Sequence, residues 1–84
     1  MARKTKNAET ANMKIGTRII ALRVDRGYTR DQLAEEVGIS CKFLYEIEGE
    51  RKGFSASTLY KLSKALKASM DYIMTGSEYA DSNK

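Results

Sequence analysis

Histidine and proline are absent from this chain, cysteine occurs once, and glycine is sparse. Without histidine and with Cys41 alone, a zinc site of the usual ligand types is excluded, and no disulfide can close within the chain. Cys41 has no resolving partner, so it reads as a small tolerated side chain rather than a redox sensor. Nucleophilic catalysis fares no better. Neither Ser40 nor Cys41 has a base to activate it, and no glycine-rich loop is present to cradle a phosphate. The chain does not read as an enzyme, and no cofactor is expected. No apolar run approaches the ~20 residues of a membrane span, and no secretory apolar segment appears. A soluble protein of a reducing cytoplasm is the expectation.

The same shortages have a positive side. With proline missing and Lys, Leu, Glu and Ala frequent, the composition favours helix. No strand signal and no internal repeat stands out. At 84 residues the chain makes one domain, and a domain this small buries roughly 60–65% of its unfolded surface. Its helices must share one centre. The net charge is +4 and the isoelectric point about 9.3, a balance that favours a polyanionic partner. The charge is uneven: Arg3, Lys4, Lys6 and Lys14 crowd the start, whereas Glu78 and Asp81 sit in the tail.

Along the chain, residues 1–11 are polar and aperiodic and read as a flexible basic arm. Residues 12–76 carry the folded domain, and 77–84 a polar tail. Asn12 is the expected N-cap of a first helix running to about Arg26, with Ile15, Ile19 and Leu22 inward and Gly27 closing it in left-handed geometry. Thr29 and Gln32 have the form of a capping box for a second helix with Leu33, Ala34 and Val37 inward. Gly38 supplies the positive φ of a tight turn, Ile39 plugs that turn into the core, and Ser40 caps a third helix whose inward residues are Leu44 and Ile47. A loop over 49–56 precedes a fourth helix starting near Ser57, which buries Leu59, Leu62, Ala65 and Leu66. Ser69 caps a short fifth with Met70, Ile73 and Met74 inward, and Gly76 ends it.

The stretch Thr29 to Glu48, two short helices joined at Gly38, is the most informative part. A helix that enters the major groove of DNA needs an apolar stripe to brace it and an opposite stripe that reaches base edges. Leu44 and Ile47 provide the brace, and Cys41, Lys42, Tyr45 and Glu46 then project outward, flanked by Ser40 and Phe43. Lys42 can donate to guanine, Glu46 can accept from cytosine, and Phe43 or Tyr45 can pack on a thymine methyl. Thr29 and Arg30 open a helix whose N-terminus suits a phosphate, and Arg51 and Lys52 are placed to clamp another. Each feature alone has a plainer reading. Lys42 and Glu46 are spaced for a surface pair worth ~0.3 kcal/mol, and Arg51 and Lys52 alone suit a solvated loop.

The pattern as a whole resembles the phage repressor and Cro type of helix-turn-helix domain, also called the xenobiotic-response-element family. The carrying residues are Ile15-Gly-Thr-Arg-Ile-Ile-Ala-Leu-Arg23, Gly27-Tyr-Thr-Arg-Asp-Gln-Leu-Ala34, Val37-Gly-Ile-Ser40, Leu44-Tyr-Glu-Ile-Glu48, Thr58-Leu-Tyr-Lys-Leu-Ser-Lys-Ala-Leu66 and Ser69-Met-Asp-Tyr-Ile73. The resemblance implies an all-α, compact five-helix bundle that binds operator double-stranded DNA as a homodimer and regulates transcription, as a repressor. It implies base-reading positions at Cys41, Lys42, Tyr45 and Glu46. Phosphate contacts fall at Thr29, Arg30, Phe43 and the Arg51-Lys52 loop, with Ser40 beside them. It also implies an ion pair between Arg23 and Glu48. Two departures stand out: Glu50 occupies a position where the family favours glycine, and Phe54 replaces a common proline.

Ile20, Val24, Tyr60 and Tyr72 exceed what so small a core requires. They either form a dimer patch around the fifth helix or, for Ile20 and Val24, pack on that helix within one subunit. No second domain or small-molecule effector site is visible. The alternative function is an antitoxin-like or other protein-interaction module on the same fold.

Overall fold

The computed structural model describes residues 14–77. The basic arm over 1–11, its expected cap Asn12 and the tail beyond Ser77 lie outside those residues. Within them are five α-helices and no strand: α1 (Ile15–Asp25), α2 (Arg30–Val37), α3 (Cys41–Glu48), α4 (Ala56–Leu66) and α5 (Met70–Thr75).

Local chemistry starts and stops most of these helices. Thr29 Oγ1 accepts from the Gln32 amide at 3.0 Å, and Gln32 Oε1 accepts from the Thr29 amide at 2.9 Å. That reciprocal pair satisfies two amide groups that a helix start leaves without partners. Ser40 caps α3 through the Phe43 amide at 2.9 Å, and Ser69 caps α5 through the Tyr72 amide at 2.9 Å. Gly38, at φ 82°, ends α2. There its amide donates to the Ala34 carbonyl at 2.8 Å and the Ile39 amide to the same oxygen at 3.0 Å. A residue with a Cβ would strain at that φ. Gly27 and Gly76 end α1 and α5 with similar positive φ.

Two expectations need correction, at the start of α1 and at Met74, while α4 starts next to Ser57 as expected. The cap of α1 is Lys14, in extended conformation and with no side-chain hydrogen bond, so the helix begins after Asn12 rather than on it. The cap of α4 is Ser55, whose Oγ accepts from the Thr58 amide at 3.1 Å; Ser57 is already inside the helix. Met74 is 42% exposed and does not face the core.

Every helix sends at least one side chain to a common centre. Ile19 comes from α1, Leu33, Ala34 and Val37 from α2, Leu44 and Ile47 from α3, Leu62 and Leu66 from α4, and Ile73 from α5. Each fully buried Leu or Ile contributes about 1.5–3 kcal/mol. Ile15, Leu22, Ile39, Phe54, Leu59 and Ala65 are half-buried against this cluster. Phe54 thus closes the loop before α4 without the proline.

Polar side chains of α1 tie the bundle together. Arg18, buried, donates through Nη1 to the Ile73 carbonyl of α5 at 2.5 Å. Arg26 donates through Nε to the Leu66 carbonyl, the last residue of α4, at 3.0 Å. Both carbonyls lie in final turns, which lack helical partners. Gly16 lets α1 approach the end of α3 closely. A Cβ there would meet the Glu48 carbonyl and stand 2.6 Å from that of Ile47. The Gly16 amide donates to Glu50 Oε2, so a residue beyond α3 caps the helix that has no cap of its own. Glu50 itself holds a positive φ of 64°.

Candidate nucleic-acid interface

The brace of α3 comes first, because it fixes where the opposite stripe points. Leu44 and Ile47 are buried, and so is Glu48 at the end of the helix. The Glu48 carboxylate gathers two arginines. Arg23 Nε of α1 donates to Oε2 at 2.7 Å, and Arg30 Nε of α2 donates to Oε1 at 2.9 Å. The Glu48 side chain is 2% exposed, against 12% for Arg23 and 37% for Arg30. Arg23 also donates to the Tyr28 carbonyl at 3.2 Å. One carboxylate therefore fixes α3 to both preceding helices.

On the outward stripe, Cys41, Lys42 and Tyr45 are exposed. Glu46 is half-buried instead, and its Oε1 lies 3.6 Å from Lys52 Nζ. The pair at Glu46 is with the loop, not with Lys42 as helical spacing allows. Solvent access keeps such a pair weak. Tyr45 is 53% exposed, and the Arg30 guanidinium carbon stands 5.2 Å from the centroid of its ring. The Glu48 hydrogen bond stabilises the charged guanidinium and raises the Arg30 pKa. The Asp31 carboxylate, accepting from the Cys41 thiol, pushes that thiol above its ordinary pKa.

Around this stripe stand the residues expected at phosphates. Thr29 and Ser40 are exposed at helix starts, with their side-chain oxygens occupied by the caps. Phe43 is half-buried on the core. Arg51 and Lys52 are exposed just beyond α3. The Arg51 amide donates to the Glu46 carbonyl at 2.8 Å, which completes the turn that Glu50 makes possible. Two basic groups touch the stripe itself, Arg30 at Tyr45 and Lys52 at Glu46.

The sequence did not show the second arginine at Glu48, the cation–π contact of Arg30 with Tyr45, or Asp31 as the group that shifts Cys41. One signal was present. Helix α1 and its C-cap carry arginine at positions 18, 23 and 26, while the exposed cations of α4 are lysines 61 and 64. Arginine is the residue whose planar fork suits fixed, partly buried acceptors.

Over residues 16–78 the sequence matches the family model described as a helix-turn-helix domain. An uncharacterized helix-turn-helix-type transcriptional regulator of Rickettsia conorii is 31% identical over 81 residues, 96% of this chain and 65% of that protein. The chain therefore spans slightly less than two thirds of that relative's length. An immunity repressor protein of Bacillus phage phi105 is 43% identical over 54 residues, 64% of this chain and 38% of that one. Among solved structures, the P22 c2 repressor protein in complex with a synthetic operator superposes with a TM-score of 0.75 at 30% identity, covering 79% of this chain and 100% of that one.

Proposed function

The chain belongs to the helix-turn-helix domain family, of the phage-repressor type, and from that premise we propose that it is a sequence-specific DNA-binding transcriptional regulator, acting as a repressor. Helix α3 enters the major groove and reads base edges with Cys41, Lys42, Tyr45 and Glu46. Thr29, Arg30, Ser40, Phe43, Arg51 and Lys52 hold the flanking phosphates. Two copies bind a two-fold site, with half-sites about 34 Å apart. The protein works by binding rather than catalysis, in the cytoplasm.

The observation that carries this reading is the division of α3 into two stripes. Leu44, Ile47 and Glu48 are buried against the other helices, while Cys41, Lys42 and Tyr45 are exposed, as are Arg51 and Lys52. A helix so braced offers its open side chains at fixed positions, which groove recognition requires.

The test is selection of bound duplexes from a random pool at two salt concentrations. Recovery of a two-fold symmetric motif, with binding that weakens as salt rises, is expected. A pool that stays random at both concentrations would sink the reading and turn attention to a protein partner.

A further inference from the structure

Arg30 was expected to be a phosphate ligand, yet its guanidinium is already engaged inside the protein. Its Nε donates to Glu48 Oε1 at 2.9 Å, and its guanidinium carbon stands over the Tyr45 ring, 5.2 Å from the centroid. Glu48 is buried and fixed independently by Arg23 at 2.7 Å. The Arg30 side chain is 37% exposed, so a guanidinium at the surface is tethered to an immobile anchor beneath it. Tyr45 is the large aromatic group of the outward stripe, and it is half in solvent. Left alone, an exposed tyrosine samples several χ1 rotamers. A planar cation held beside it restricts that freedom, because the ring face attracts it.

We propose that Arg30 is a positioning residue for base recognition: bolted to Glu48, it holds the Tyr45 ring in the orientation in which that ring reads DNA. This rests on the proposed function and refines it. Arg30 then contributes to sequence preference from the start of α2, a place that otherwise only grips the backbone. Lysine cannot replace it. A lysine keeps the charge and can still meet a phosphate, but it has no rigid planar fork to hold Glu48 and Tyr45 together.

The experiment compares the parent, Arg30→Lys, Tyr45→Ala and the double variant on the same random duplex pool, across a salt series. It is joined by an NMR measurement of the Arg30 Nε–Hε signal in the free proteins. Expected is that Arg30→Lys relaxes preference at the same base position as Tyr45→Ala, by roughly two- to fivefold, the strength of an exposed cation–π contact. Its salt dependence should match the parent's, and the double variant should lose no more preference than Tyr45→Ala alone. In the free parent the Arg30 Hε signal should be shifted upfield by the ring, and that shift should vanish in Tyr45→Ala. The proposal is overturned if Arg30→Lys keeps the Tyr45-dependent preference, or if the Hε signal ignores Tyr45. A parent that selects no motif would overturn the DNA reading and the positioning role with it. The Hε shift would still separate that failure from failure of the clamp. Fold retention is checked on the same spectra, and Arg23 continues to hold Glu48 in every variant.

Discussion

A single carboxylate with two arginines is an unequal partnership, and removing different members should have different costs. Glu48→Ala leaves Arg23, whose side chain is 12% exposed, without its anion. Breaking a buried pair from one side costs about 3–5 kcal/mol. Arg23→Ala should cost less, because Glu48 retains Arg30 at 2.9 Å. The double variant Arg23→Met with Glu48→Met should lose less than the sum of the single methionine variants, since no charge is stranded. Urea unfolding of the set measures all of these, and strict additivity would contradict the account. Cys41 offers a second test at this scale. Asp31 raises the thiol pKa by accepting its hydrogen, so deprotonation requires higher pH than for an ordinary thiol. Alkylation by iodoacetamide should therefore be slow near neutrality and accelerate at a correspondingly higher pH. Asp31→Asn removes the charge, lowers the pKa and should shift the pH–rate profile downward. An unchanged profile would remove Asp31 as the cause.

The elements differ in how they begin and end. Four of them carry caps whose partner lies three residues along the chain: Thr29 with Gln32, Ser40 with Phe43, Ser55 with Thr58, Ser69 with Tyr72. Helix α1 instead borrows the carboxylate of Glu50, which sits at φ 64° to deliver it. A left-handed residue with a Cβ costs roughly 1–2 kcal/mol, and loss of a cap costs about 0.5–2 kcal/mol. Glu50→Ala loses the cap and keeps the strain, so it should destabilise the fold by about 1 kcal/mol. Glu50→Gly loses the same cap but relieves the strain and should lie close to the parent. Chemical denaturation of the pair checks this, and equal losses in both would refute it.

That contrast also marks what the sequence made legible. Caps and turns at Thr29, Gly27, Gly38, Ser40 and Ser69 could be read because both partners are close in the chain. Ser55 was missed because Ser55, Ser57 and Thr58 are all cap residues by type, and only geometry chooses among them. Met74 was assigned inward because α5, at six residues, is too short for periodicity to fix its face. The outward stripe of α3 was legible as the complement of the apolar one. The placement of Arg30 was not, since Glu48 already had a partner in Arg23, and nothing in spacing says that a carboxylate accepts two. Glu50 and Gly16 are 34 residues apart and Arg18 and Ile73 are 55 apart, separations at which the sequence gives no register.

For the whole molecule, the unspent apolar surface is the informative feature. Val24 is 63% exposed, Tyr60 53% and Met74 42%, while Ile20 and Tyr72 are half-buried. Val24 and Met74 belong to α1 and α5, which pack against each other. We propose that a dimer forms through this side. Val24→Glu should then yield monomers at concentrations where the parent sediments as a dimer. As an exposed substitution it should change stability by no more than about 0.5 kcal/mol. Recovered DNA motifs should shrink to single half-sites. A dimer that survives the substitution would place the interface elsewhere.

The separation of the two stripes of α3 has a use. Leu44, Ile47 and Glu48 carry the attachment of the helix, while Cys41, Lys42 and Glu46 take no part in the buried cluster. Those outward side chains could be exchanged for a set borrowed from another regulator, retargeting the protein without refolding it. Cys41 and Glu46 would give up only their contacts with Asp31 and Lys52, whereas Tyr45 shares its ring with Arg30 across the turn. A transplant that moves Tyr45 must carry its arginine along, so the portable unit of specificity here is a residue pair spanning two helices.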